Sequence, residues 1–284
     1  VSGDTGGNVN ITTGGLSIAA PILAKGSTGQ GGSININTLF KSWEVVSALL
    51  DVSGASGGTI EHFAGQEITT SGKYLAIGTD GTGGSIDVTA NTIKFMSNTI
   101  DASGTMGGGS IRLGGEYQGG KNLAVDEILN AKFLFMTDAA NITARTTGTD
   151  GAGGRVIAWA DQKAMVLGQF DVRPGTQTGA GGFVEVSSGD TLVFDGSVRA
   201  SVDNRTGTLL LDPKKLTVST ADGGISVARA VWDKKFGQTI KEGIASDYSN
   251  KDAITKLSLF KSSHSDKWTT LKEGVYLPVP FQNP

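Results

Sequence analysis

Three aspartates are the residues of this chain whose type and position could most readily do chemistry. Asp51, Asp101 and Asp171 each lie between two apolar residues, just before a polar loop that contains glycine. Carboxylates gathered on one face of a protein, alone or with a lysine or arginine, are the groups with which enzymes cleave polysaccharides. Alternation places these three outward and stacked, but like charges repel and no basic residue accompanies all of them. A solvated face that discourages aggregation is therefore favoured over a catalytic one.

Other reactive side chains are few. The chain has two histidines, His62 and His264, in unrelated contexts, and no cysteine. Thiol chemistry and thiolate metal sites are therefore excluded, and a histidine-based zinc site or triad lacks partners. The Gly-Thr-Asp-Gly turns at 78–81 and 148–151 are similar to single pieces of calcium-binding repeats, but they do not recur in tandem. The sequence predicts no catalytic residue, no cofactor and no metal ligand.

A glycine-rich repeat sets the elements that would position any such residue. Glycine accounts for 43 of the 284 residues, and a glycine pair followed by a short β-branched strand returns along the chain. The last copy has a single glycine. The reference glycines are Gly7, Gly32, Gly58, Gly84, Gly109, Gly154, Gly182 and Gly207, at steps of 25, 26, 26, 25, 45, 28 and 25 residues. A nearly constant period in this range, with a strand in each copy, is the signature of a solenoid.

Each period contains three short apolar alternations, such as Ile86/Val88, Ile93/Phe95 and Ile100/Ala102 in the fourth copy. Three strands and three turns per period predict an all-β fold, a parallel β-helix of about 25 residues per coil and about 8 coils over residues 1–220. At about 4.8 Å per coil, the rod would be about 35–40 Å long. An antiparallel sandwich is the alternative, although it gives no reason for a constant register. The third strand often ends on a small residue suited to a crowded core corner: Ala24, Ala102, Ala144 and Ala200.

Four segments in this order resemble the filamentous haemagglutinin family, the large exoproteins of bacterial two-partner secretion. They are IDASGTMGGGSIRLGGEYQG (100–119), GGRVIAWAD (153–161), GGFVEVSSG (181–189) and GTLLLDP (207–213). The resemblance covers residues 80–220 well and the first 80 more loosely. It implies a right-handed parallel β-helix, export across an outer membrane, and an adhesive or surface-structural role. It brings no catalytic residue, the family's amino-terminal secretion domain is absent, and the segment after Pro213 does not share it.

Two irregularities interrupt the period. The step of 45 residues fits one coil plus an insertion near 115–131, which includes Glu116 and Tyr117. Insertions into solenoids loop out on one face and often carry binding function, although a neutral surface excursion is the alternative. Residues 41–49, which include Trp43, are a smaller irregularity that predicts an exposed loop or a short helical turn.

The glycine repeat stops near residue 223, and residues 221–284 form a separate C-terminal segment with more lysine, aspartate and aromatic residues. Near-helical apolar spacing predicts an amphipathic helix over 228–245. A cap over the last coil is one interpretation, and an assembly element that docks on a neighbouring subunit is the other. The candidate assembly residues are Trp232, Phe236, Ile240, Tyr276, Leu277, Val279 and Phe281.

Composition bounds the partners. The net charge is −3 and no basic block occurs, which argues against nucleic acid. The sequence contains no run of about 18 apolar residues, so it predicts no membrane-spanning helix. The first residues do not form a signal peptide, so we expect either a leader already removed or an excerpt from a longer chain. Three Asn-x-Thr sequons make Asn10, Asn141 and Asn204 candidate glycosylation sites.

The sequence thus predicts a non-enzymatic structural or adhesive β-helix, secreted or displayed on a bacterial surface. It would serve as an adhesin stalk or as a subunit of an extracellular filament. The expected partners are further coils, either of a longer chain or of another copy joined head to tail, and a host or cell-surface receptor or glycan. The alternative is a carbohydrate-active β-helix enzyme, a polysaccharide lyase or hydrolase.

Overall fold

The computed structural model describes residues 1–120, 129–219, 226–231 and 275–279. They form an all-β solenoid of eight turns, as the glycine period predicts. Among these residues no helix is long and apolar enough to cross a membrane. The strands are Asn8–Thr13 (β1), Leu16–Ile18 (β2), Pro21–Leu23 (β3), Ser33–Thr38 (β4), Lys41–Glu44 (β5), Leu49–Asp51 (β6), Thr59–Thr70 (β7), Lys73–Leu75 (β8), Ser85–Phe95 (β9), Thr99–Asp101 (β10), Ser110–Leu113 (β11), Phe133–Met136 (β12), Asn141–Thr143 (β13), Arg155–Ala160 (β14), Lys163–Val166 (β15), Gln169–Asp171 (β16), Phe183–Phe194 (β17), Ser197–Arg199 (β18), Gly207–Leu211 (β19), Pro213–Ser219 (β20), Ser226–Val231 (β21) and Val275–Val279 (β22).

The first seven coils contribute to three sheet faces and the eighth to two of them, and within each face neighbouring coils are joined by parallel strands. The first face runs β1, β4, β7, β9, β11, β14, β17 and β19, and the third runs β3, β6, β8, β10, β13, β16 and β18. The second face contains β2, β5, β12, β15 and β20 together with the later halves of β7, β9 and β17, which continue around the corner from the first face. The pairing register follows the repeat, so that Val9 lies beside Ile34, and Ile34 beside Ile60.

One apolar core fills the rod. Inward residues such as Ile60, Ile86 and Ile111 have no exposed surface, and together the buried residues form a single cluster from Ile18 to Leu211. The predicted corner residues are confirmed: Ala24, Ala102, Ala144 and Ala200 are all completely buried. The sequence alternation thus identifies the inner side of all three faces.

Residues 41–44 differ from the expectation of a loop or helical turn. They form the strand β5, paired in parallel with β2 on one side and β7 on the other. Their alternation of exposed and buried residues explains this: Ser42 and Glu44 point inward, while Lys41 and Trp43 face solvent.

The C-terminal segment is described only in parts. Residues 226–231, which overlap the start of the predicted helix, form β21, antiparallel to β20; the remainder of that helix lies outside the described residues. Tyr276, Leu277 and Val279 belong to β22, whose backbone pairs antiparallel with β19 of the last coil. The candidate assembly residues Trp232, Phe236, Ile240 and Phe281 also lie outside the described residues.

Candidate functional site on the outer face of the first sheet

The three aspartates that the sequence singled out lie on the third face, at equivalent positions in alternate coils. Leu75 separates Asp51 from Asp101 in the register, and Thr143 separates Asp101 from Asp171. Two coil spacings of about 4.8 Å put neighbouring aspartates about 10 Å apart, so the expected stack of adjacent carboxylates is wrong.

These aspartates have a local structural task. Each carboxylate accepts a hydrogen bond from the backbone N–H two residues later, at Ser53, Ser103 and Arg173. This bond fixes the turn that leaves the third face. Lys25 lies 3.2 Å from Asp51, and Arg173 binds Asp171 with a guanidinium nitrogen 2.6 Å from Oδ2. The third face therefore presents turn-forming carboxylates, spaced too far apart to act together.

His62, which the sequence left without partners, lies inside the rod in a buried polar network. Its Nδ1 is 3.1 Å from Glu44 Oε1 and 3.1 Å from the Tyr74 hydroxyl. Glu44 Oε2 accepts hydrogen bonds from Tyr74 at 2.5 Å and Thr70 at 2.6 Å. The other histidine of the chain, His264, lies outside the described residues.

Electrostatics inside this network favour an ionised glutamate. Burial alone would raise the pKa of Glu44, but the charge of His62 and hydrogen bonds from His62, Thr70 and Tyr74 lower it below its ordinary value. Burial and the charge of Glu44 raise the pKa of Tyr74 well above its ordinary value. The network is sealed from solvent, because Glu44 and Tyr74 have no exposed surface and His62 has 1%. It therefore stabilises the core and does not form a site for a ligand.

The charged groups that the fold does bring together lie elsewhere, on the outer side of the first face. Arg112 on β11 binds Asp87 on β9 with two hydrogen bonds, of 2.7 and 2.6 Å. A further guanidinium nitrogen of Arg112 binds Glu116 Oε2 at 2.6 Å, and Arg155 on β14 lies 3.1 Å from Glu116 Oε1. Burial would raise the pKa of Glu116, but the Tyr117 backbone N–H and both arginines hold it below its ordinary value. This cluster joins two arginines and two carboxylates from β9, β11, β14 and the residues that follow β11.

Residues 114–120, which we call the arm, begin the predicted insertion and fold back onto this face. The arm includes left-handed backbone at Gln118 (φ 51°) and Gly119 (φ 68°). A Cβ on Gly119 would lie 2.6 Å from the Trp159 ring, so glycine permits the close approach. Under the arm Ile157 is fully buried and Trp159 is 3% exposed, although both occupy outward positions of β14. The described part of the insertion thus covers the rod and does not loop away from it.

Beneath the arm lies a second carboxylate of unusual character. Glu185 on β17 is completely buried, and both of its oxygens accept from the Gln118 backbone N–H, at 3.1 and 3.2 Å. Burial, and to a lesser degree the charge of Asp212, raise the pKa of Glu185 to about 7, against the opposing effects of Gln118, Ser187 and Arg155. A carboxyl group that changes charge near neutral pH is therefore held under the arm.

An aromatic and glycine-lined surface borders the cluster. The guanidinium of Arg155 lies over the rings of Tyr117 and Phe183, 5.7 and 5.9 Å from their centres. Beside it a groove of about 520 Å³ runs across four coils, walled by Thr82, Ser110, Arg155 and Phe183 and floored by paired glycines. Close contact with the neighbouring coil already requires these glycines, so the groove alone does not indicate a ligand.

The three sequon asparagines are accessible. Asn10, Asn141 and Asn204 are all exposed, and Asn10 Oδ1 accepts a 3.0 Å hydrogen bond from Asn35 of the next coil. Their glycosylation stays a prediction.

One feature of the sequence indicates that the outer side of β14 is covered. Residues 156–160 are all buried, so β14 is apolar on both sides, and this pattern is typical of a strand covered on both faces. No comparable feature of the sequence indicates the contact between Glu185 and Gln118, because these residues are 67 positions apart.

Comparisons with known proteins do not identify a role for this surface. No family model matches the chain, and no solved structure matches it. Short stretches are similar to proteins named chaperone protein HtpG: 47% identity over 51 residues with that of Nitrosospira multiformis, and 51% over 41 residues with that of Bdellovibrio bacteriovorus. These stretches are 18% and 14% of this chain and 8% and 7% of those proteins, so the chain spans less than a tenth of the relatives it matches. No family is established by matches of this length.

Proposed function

We propose that this chain is a non-enzymatic structural or adhesive β-helix of the filamentous haemagglutinin type, exported to a bacterial surface or the medium. The observation that carries the proposal is the parallel stacking of about eight coils around one apolar core. The charged groups on the side of the rod already have partners within the chain. Arg112 binds Asp87 and Glu116, and Glu185 accepts a hydrogen bond from the Gln118 backbone N–H. A rod built in this way supports an adhesin stalk or a filament subunit, and its groove and sequons offer surface for a receptor or glycan.

Head-to-tail association through the first coil is part of this proposal. Its inward residues Val9, Ile11, Leu16 and Ile22 are only partly buried, and within the described residues β1, β2 and β3 each pair on one side. Such an edge templates a further strand, which either preceding coils or the end of another copy would supply. Contacts of this head-to-tail kind continue into filaments. In this proposal the C-terminal tail takes part in docking, and the pairing of β22 with β19 supports its ability to extend the sheet.

Electron microscopy of the purified chain tests the self-association. We expect filaments with an axial repeat of at least about 35–40 Å, the length of eight coils. Ile11→Lys places a charge at the inward edge of the first coil and should abolish the filaments, whereas Thr12→Lys, on the exposed side of the same strand, should leave them. Monomers at every concentration in light scattering would contradict polymerisation.

A panel of polysaccharides tests the absence of enzymatic activity. We expect no reducing ends and no unsaturated products between pH 5 and 8, because the carboxylates of the cluster are engaged by Arg112 and Arg155. Product release that Glu116→Gln abolishes, and that Glu61→Gln on an uncovered coil leaves intact, would favour the carbohydrate-active enzyme instead.

A further inference from the structure

One row of outward residues, one from each coil, crosses the first face, and its polarity changes where the arm covers it. The row contains polar residues in the first five coils and then Ile157, Glu185 and Leu210, all three completely buried. A buried carboxyl between two apolar residues is costly to ionise unless water reaches it. The arm is the described element that keeps water from this position, and its contact there is the Gln118 N–H.

Several charged groups face Glu185 from the elements packed around it. Arg155 of β14 favours its ionised form, whereas Asp212, just after β19, opposes it. The carboxylate of the arm itself, Glu116, is already neutralised by Arg112 and Arg155. The ionised form of Glu185 is thus favoured by one shared arginine, the Gln118 N–H and the Ser187 hydroxyl, while the neutral form suits its apolar neighbours and its burial.

We propose that the Glu185 carboxyl is a pH-sensitive latch: while it is neutral the arm stays seated on β14 and β17, and when it ionises the arm opens. Opening admits water to the carboxylate and uncovers an apolar strip that contains Ile157 and Trp159. The rod therefore presents a hidden apolar surface that becomes more accessible as the pH rises from 4.5 to about 7.

The sign of the effect follows from linkage. The pKa of Glu185 is about 7 with the arm seated, and its ordinary value is 4.5. The closed state therefore binds the proton more tightly, is favoured below pH 4.5, and loses that advantage as the pH rises to about 7. Between pH 5.5 and 8, the opening equilibrium constant should increase about 10- to 30-fold.

Hydrogen exchange of the full chain, read on peptides that cover the arm and corrected for intrinsic exchange, measures this opening. The wild type should show the increase, while Glu185→Gln, which keeps the shape of the neutral acid, should hold the arm closed across the pH range. Glu61→Gln is the matched control, because Glu61 occupies the same outer row on an uncovered, exposed coil. It should retain the wild-type pH dependence.

Two results would overturn the proposal. One is an arm whose corrected exchange in the wild type does not change with pH, and the other is a Glu185→Gln variant with unchanged pH dependence. Should Glu185→Gln fail to fold, carbon NMR of the wild-type glutamate carboxyls decides the matter. A Glu185 resonance that titrates near its ordinary value would refute the latch.

Discussion

Gly108→Ala should destabilise the rod by more than about 4 kcal/mol, the range reached only when a core or backbone contact is broken. A Cβ at this position would lie 1.9 Å from the Ala144 carbonyl oxygen and 2.4 Å from the Gly154 nitrogen, both backbone atoms of the neighbouring coil. The Gly154 N–H donates to the Ala144 carbonyl oxygen at 2.8 Å, so neither atom can move without disturbing this turn of the neighbouring coil. We expect a urea midpoint lower by more than about 1 M, or loss of soluble protein.

The adjacent glycine provides a matched control. A Cβ on Gly107 would contact Thr82 Cγ2 at 3.4 Å and the Ala152 carbonyl oxygen at 3.8 Å, which are ordinary van der Waals distances. Gly107→Ala should therefore be neutral, or stabilise by up to about 1 kcal/mol through the reduced entropy of the unfolded chain. Equal urea midpoints for the two variants would contradict the idea that coil contact, and not glycine content as such, explains the repeat.

The repeat allowed the architecture to be predicted because each coil makes the same contacts as the one before it. Once the period placed Gly32 and Gly58 at equivalent positions, the pairing of Ile34 with Ile60 followed. The same logic identified the inward alanines. It failed for Asp51 and Asp101, since equal position within a coil does not mean adjacent coils, and Leu75 lies between them.

The candidate site was less predictable because it depends on a departure from the repeat. Alternation assigns Ile157 and Glu185 to the outer side, but it does not say whether that side meets water. The arm decides this, through left-handed backbone at Gln118 and the ring of Trp159, and no periodic signal describes such contacts. The resemblance that includes residues 153–161 concerns the coil itself, so it did not indicate the cover.

The buried network was hidden for another reason. Alternation correctly points Glu44 and His62 inward, a placement that reads as unfavourable for charged groups in an apolar core. The placement is tolerated because Glu44, His62 and Tyr74, which lie on three different faces, contact one another inside the rod. Up to 30 residues separate these partners in the sequence. Contacts of this kind, between two neighbouring coils and across the inside of the rod, follow from the shape of the coil and not from its period.

Glu44→Ala is the second substitution with a large expected effect, a loss of about 3–5 kcal/mol in the free energy of unfolding at neutral pH. The change leaves the Tyr74 and Thr70 hydroxyls without their acceptor and His62 without the carboxylate beside it, all inside the core. Glu67→Ala is the control, because the Glu67 side chain is partly exposed and forms a surface pair with Lys94 at 2.8 Å. It should cost no more than about 1 kcal/mol.

Acid provides an independent test of the same network. The folded pKa of Glu44 is lowered, so its contribution to stability is present above its ordinary value of 4.5 and disappears as the pH falls through the folded value. Glu44→Gln keeps an acceptor oxygen for Tyr74 but cannot be protonated, and its urea midpoint should fall less below pH 4.5 than that of the wild type. A variant and a wild type with parallel pH profiles would show that Glu44 is neutral in the core, and that the hydrogen bonds, and not the ion pair with His62, stabilise the coils.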